Sequence, residues 1–129
     1  MNNELKRVAV YGSLRKGMYN HVLINNAKFV EKYTETFPFR MIGLGAFPAL
    51  VSSNENHKVV IETYDLNPEE YKSVEYLEGY PDFYDKYQFK DRNGVDTEIY
   101  VLNDRNSRSD DDLKEHIKDW VEYTGNDGE

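Results

Sequence analysis

Two stretches of this chain combine residue types that could bind an anion and move a proton. Val8-Ala9-Val10-Tyr11-Gly12-Ser13-Leu14-Arg15-Lys16-Gly17 is a short apolar strand running into a glycine-punctuated turn. A glycine after a buried strand lets backbone approach a ligand and aims successive N–H groups at a carboxylate, phosphate or developing oxyanion. A plain structural turn reads the same way, and is the commoner outcome for such a segment alone. The second stretch is Val74-Glu75-Tyr76-Leu77-Glu78-Gly79-Tyr80-Pro81. There Tyr71, Val74 and Glu78 fall at i, i+3 and i+7 of a helix, so Glu78 shares the inward face and Glu75 does not. Burial and the negative end of the helix dipole both disfavour a charged carboxylate in that last turn, which raises its pKa toward the range of neutral-pH proton transfer. The competing reading is that Glu78 frays to the surface or pairs with a buried Arg, since a shift of one residue would turn it outward.

The elements that must position these residues are partly legible. Asn67 is an N-cap candidate with Pro68 at the position where proline is tolerated, while Gly79 and Pro81 stop the helix. Residues 6 to 11 read as a buried strand. Residues 28 to 44 read as strand material interrupted near Pro38, with a bend or bulge at Gly43 and Gly45. Val59 to Leu66 is a β-branched and aromatic run after an Asn-rich loop at Ser52 to Asn56. Residues 86 to 91 and 95 to 102 flank Asn93-Gly94, a two-residue hairpin signal. Leu113, Ile117, Trp120 and Val121 recur at helical spacing, with Ser109 as N-cap, Asp110 to Asp112 as a solvated first turn and Gly125 beyond the end.

Composition narrows the classes. A chain of 129 residues fits one domain, and the absence of cysteine excludes disulfides and thiolate metal sites. Three consecutive aspartates on a helix diverge, so no metal is expected there. A formal charge of -8 repels a phosphate backbone, which argues against nucleic acid. No apolar run approaches the roughly 20 residues of a membrane helix, and Met1 to Glu4 lacks a signal-peptide pattern, so a cytoplasmic protein is expected.

Several of these segments form an ordered series. Tyr11-Gly12-Ser13-Leu14-Arg15-Lys16-Gly17, Asn20-His21 with Leu23, Phe47-Pro48-Ala49-Leu50-Val51, Glu62 with Tyr64, and Leu77-Glu78-Gly79-Tyr80-Pro81 with Tyr84 resemble, in order and interval, the γ-glutamyl cyclotransferase-like superfamily. The resemblance spans roughly residues 7 to 102 and implies an α+β fold, a small mixed barrel-like β-sheet with a few packed helices, as a single domain over 1–129. It implies an enzyme that releases 5-oxoproline from a γ-glutamyl compound when the substrate's own α-amine attacks its γ-carbonyl, with neither cofactor nor metal. Carried over by motif, Glu78 is the general acid/base, and Tyr11, Gly12, Ser13 and Leu14 supply substrate-binding backbone.

Tyr84 joins the substrate-binding set, and with Tyr80, Phe83 and Tyr87 is a candidate for an apolar pocket around a leaving amine; core packing explains these rings equally well. Lys16 to Leu23 is similar to the γ-glutamylamine branch more than to the glutathione-pathway branch. The chain departs from the family at Ile61, where glycine is usual and a side chain is a candidate for filling substrate space, and at Glu75, where aspartate is frequent. His21 reads as a hydrogen-bonded loop residue rather than a base. A noncatalytic small-carboxylate-binding module and a protein-interaction domain with an exposed tyrosine surface remain as alternatives, and oligomeric state is not written in the sequence.

Overall fold

Hydrophobic alternation at the first strand sets the architecture. In a computed structural model, which describes residues 4–125, β1 (Lys6–Val10) sends Ala9 to one side and Val8 and Val10 to the other, and all three are buried. A strand buried on both faces must lie centrally, and β1 does. The sheet order is β2-β3-β1-β5-β4, from β2 (Lys28–Gly43), β3 (Pro48–Leu66), β4 (Tyr84–Lys90) and β5 (Asp96–Leu102). The β1–β5 pair is parallel, and the other three are antiparallel. With α1 (Pro68–Glu78) and the short α2 (Trp120–Thr124), this is the expected α+β architecture.

The barrel-like character comes from side chains. β2 and β4 are the outermost strands, yet Phe37 and Phe39 of β2 meet Phe89 and Tyr87 of β4 edge-on, with centroids 5.0 and 4.9 Å apart. The sheet therefore curls until its two edges share one apolar interior with Met41, Leu50, Ile61, Ile99 and Trp120. On the convex face α1 and a 3-10 turn at His21–Ile24 cover a second cluster around Val8, Val10, Ile24, Tyr64 and Val74.

Three local expectations are corrected. The strand runs on through Pro38, and only its pairing is interrupted there, because the ring removes a ladder donor. The Ser52–Asn56 segment, however, belongs to β3: the register steps from Phe37↔His57 to Phe39↔Ser52, leaving residues 53 to 56 as a wide bulge opposite Pro38. The β4–β5 hairpin turns through Asp91 to Val95, not two residues. The Asp91 carboxylate accepts N–H bonds from Asn93 and Val95, both 2.9 Å, and Gly94 supplies the left-handed residue at φ 82°.

The single C-terminal helix does not form. A 3-10 turn at Ser109–Leu113 and an extended stretch precede α2, whose N-cap is Asp119. The extended stretch spends its hydrogen bonds on the sheet: His116 Nδ1 accepts from Met41 N–H at 3.0 Å, Ile117 N–H donates to the Met41 carbonyl, and Val60 N–H donates to the Lys118 carbonyl. Leu113 is 84% exposed instead of packed. Asp111, expected in a solvated turn, is buried and accepts from Arg108 N–H at 2.8 Å. Gly125 does end α2 in the left-handed conformation. The reading of Met1 to Asn3 lies outside the described residues.

Candidate active site

Helix α1 places Glu78. Asn67 and Glu70 form a reciprocal capping box at 2.8 and 2.9 Å, Pro68 occupies the first turn, and Gly79 closes the helix at φ 64°. Between these fixed ends Val74 is fully buried against the convex face of the sheet, and Glu78, one turn on, is half-buried and lines a cavity. Its carboxyl is raised from 4.5 to about 7 by burial. Glu75, on another face, is held by Lys86.

The turn after β1 faces the same space. Tyr11, Gly12, Ser13, Leu14, Glu78 and Tyr84 all line one cavity of about 280 Å³, together with Tyr19, Asn20, Phe47, Pro48, Leu77, Phe83 and Tyr100. Hydrogen bonds within the turn use the N–H groups of Arg15, to the Gly12 carbonyl, and Lys16, to Glu62. Those of Gly12, Ser13 and Leu14 have no partner among the described residues. Three adjacent open amides at a cavity wall could receive an anion.

Beneath the turn lies a buried ionic support. Glu62 accepts from Arg15 Nε at 2.8 Å, from Lys16 N–H at 2.9 Å and from Tyr64 Oη at 2.9 Å, and Arg15 Nη1 reaches Asp119 at 2.8 Å. Burial raises the Asp119 pKa, but the hydrogen bonds from Arg15 and the Glu122 N–H, with the Arg15 charge, outweigh it and hold the carboxyl below its usual range. Asn20 donates to Ser13 Oγ, and His21 Nδ1 lies 2.9 Å from the Leu14 carbonyl. That contact requires a protonated Nδ1 and makes His21 a loop-holding donor.

Packing across the fold also requires glycine at position 12. Its φ is not positive, and a Cβ there would lie 2.7 Å from the Pro48 ring. The backbone at Gly12 thus closely approaches a neighbouring side chain. Ile61 is buried in the barrel interior and does not line the cavity, so it takes no substrate space. Of the four candidate rings, Phe83 and Tyr84 line the cavity. Tyr87 packs on Phe37 and Phe39 inside the barrel, and Tyr80 sits under Lys86 Nζ at 4.0 Å.

Tyr100 is the cavity residue that sequence reasoning passed over. Strand alternation buries it with Leu102, yet nothing in its local pattern marks it as different from core. Burial pushes the hydroxyls of Tyr11, Tyr84 and Tyr100 well above their usual range, and the charge of Glu78 adds to each. Among the described residues no group of three or more acidic or histidine side chains is arranged to hold a metal ion. No helix among them is long and apolar enough to cross a membrane.

The family model for gamma-glutamyl cyclotransferase, AIG2-like proteins matches residues 8–122. The chain belongs to that family. A Methanocaldococcus jannaschii protein provisionally named a gamma-glutamylcyclotransferase, MJ1514, is 35% identical over 81 residues, covering 62% of this chain and 67% of the relative. Two crystal structures share the fold. PH0828 from Pyrococcus horikoshii superposes with a TM-score of 0.72 at 22% identity over 92% of both chains. A mouse AIG2-like protein gives 0.75 at 19% identity over 91% of this chain and 88% of its own. Membership carries cyclotransferase-type chemistry in general.

Proposed function

We propose that this chain, as a single domain, is a cyclotransferase that releases 5-oxoproline and a free amine from a γ-glutamyl compound, with Glu78 as general acid/base. The observation that carries the reading is one cavity faced by a carboxyl raised to about 7 and by the open amides of Gly12, Ser13 and Leu14. Charged Glu78 takes a proton from the substrate's α-ammonium, and the freed lone pair attacks the γ-carbonyl carbon to form the ring C–N bond. The carbonyl oxygen becomes an oxyanion, which turn amides stabilise while others orient the substrate. As the old C–N bond breaks, the two protons lost by the attacking nitrogen pass to the leaving nitrogen, which departs as ammonium.

The substrate proposed is a γ-glutamylamine or a modified γ-glutamyl compound. Glu78 is the only acidic or basic side chain among the described cavity residues, so a second carboxylate beside the scissile nitrogen would find no counter-charge there. Phe47, Leu77 and Phe83 instead offer apolar contact to a leaving amine.

Glu78→Gln is the direct test, because the amide keeps the shape but cannot accept the ammonium proton. The expected result is a folded protein whose 5-oxoproline release falls by roughly 10² to 10⁴ fold. Wild-type turnover in the folded variant would remove Glu78 from the mechanism.

A further inference from the structure

Four tyrosines share the cavity with Glu78, and three have committed their protons, Tyr19 Oη to the Ala46 carbonyl at 3.1 Å among them. Tyr11 Oη donates to the Tyr100 carbonyl at 2.7 Å and accepts from Leu50 N–H at 3.2 Å, while Tyr84 Oη donates to the Pro48 carbonyl at 2.7 Å. The hydroxyl of Tyr100, a residue only 3% exposed, is buried without a hydrogen-bond partner. An unpartnered buried hydroxyl is uncommon and calls for an explanation.

The Glu78 carboxyl supplies one. Among the described residues it makes no hydrogen bond, so a donor without an acceptor and an acceptor without a donor line the same cavity. The other charged groups facing Tyr100 are already engaged. Glu75 holds Lys86, Glu98 accepts from Tyr71 Oη at 2.5 Å and from Gln88 Nε2 at 3.0 Å, and Lys86 also lies over the rings of Tyr71 and Tyr80. Facing Glu78 itself are only Tyr11, Tyr19, Tyr84 and Tyr100 among the titratable residues of the cavity.

We propose that the Tyr100 O–H donates to the ionised Glu78 carboxylate and fixes its orientation toward the substrate amine, which makes Tyr100 a positioning residue. The role in positioning rests on the cyclotransferase reading; the hydrogen bond does not. A donor to the charged form favours that form, so Tyr100 offsets part of the burial cost and keeps Glu78 available as a base near neutral pH.

The test is Tyr100→Phe, with the Glu78 carboxyl carbon followed by 13C NMR through a pH titration of the ligand-free protein. The substitution removes the hydroxyl and leaves the core ring in place, and thermal melting checks this. The expected result is a Glu78 midpoint about one unit higher in the Phe variant. The acid limb of kcat/KM should move by the same amount, which a purely structural role would not cause. Replacing Tyr100 with 3-fluorotyrosine, a stronger donor of nearly the same shape, should move the midpoint down. Identical midpoints in wild type and both variants would overturn the proposal. If wild type releases no 5-oxoproline, the reaction assignment fails while the NMR titration still decides the Tyr100 bond.

Discussion

Arg15 and Glu62 form a buried ion pair at 2.8 Å directly beneath the Gly12–Leu14 turn, with side chains only 2% and 5% exposed. The second Glu62 oxygen takes the Lys16 N–H, so one carboxylate fixes both the side chain and the backbone that follow the three open amides. Removing one partner of such a pair leaves an uncompensated buried charge. Glu62→Ala should therefore cost about 3–5 kcal/mol in urea unfolding. An effect within experimental error would show that the pair does not support the turn.

The Gly12 contact with Pro48 makes a second prediction. Gly12→Ala places a Cβ 2.7 Å from the proline ring, so backbone or ring must shift. Overpacking of this kind costs about 1–3 kcal/mol. Calorimetric melting together with titration of 5-oxoproline should show lower stability and weaker binding, whereas Ser13→Ala keeps the amide and should bind normally. Unchanged melting and binding in the alanine variant would mean that the Pro48 contact is slack.

Glu78 should lower stability where it is charged. Its folded pKa, raised by burial from 4.5 to about 7, lies above the unfolded value, so the folded state binds a proton that the unfolded state has released. The folded protein therefore loses stability as pH rises from about 4.5 through about 7, by at most about 3 kcal/mol. Glu78→Gln removes this dependence. The variant should match wild type below pH 4.5 and exceed it in melting temperature above pH 7. Equal melting temperatures at both ends would contradict a buried carboxyl.

The same group governs the rate profile. Proton uptake from the α-ammonium needs the carboxylate form, so kcat/KM should fall on the acid side with a midpoint above the ordinary carboxylate range and no higher than about 7. A midpoint at an ordinary carboxylate value would mean that another group is titrating.

What the sequence disclosed follows from the range of each interaction. Asn67, Pro68 and Gly79 act within a few residues of themselves, so the ends of α1 could be read directly, and the inward turn of Glu78 stood as one of two readings. The C-terminal segment could not. Its helical spacing yields to His116 and Ile117 bonding Met41, about seventy-five residues earlier in the chain. Gly12 was visible as a special position, but Pro48 as the reason was not, because that contact is made across the fold. The same holds for Arg15 with Glu62, and for Tyr100, whose distinction is a missing hydrogen bond.

Intramolecular cyclisation is the central claim, and matched substrates with a free or an N-acetylated α-amine test it most directly. Acetylation ties the nitrogen lone pair into an amide and leaves the scissile γ-amide intact. Amine release and 5-oxoproline should be measured together for γ-glutamyl-ε-lysine, γ-glutamyl-alanine and their N-acetyl forms, with binding of the acetylated compounds established by competition. The account predicts 5-oxoproline from the free-amine substrates, with γ-glutamyl-ε-lysine preferred, and no cleavage of an acetylated compound that binds. Release of N-acetylglutamate from the acetylated substrate would contradict it and identify a hydrolase.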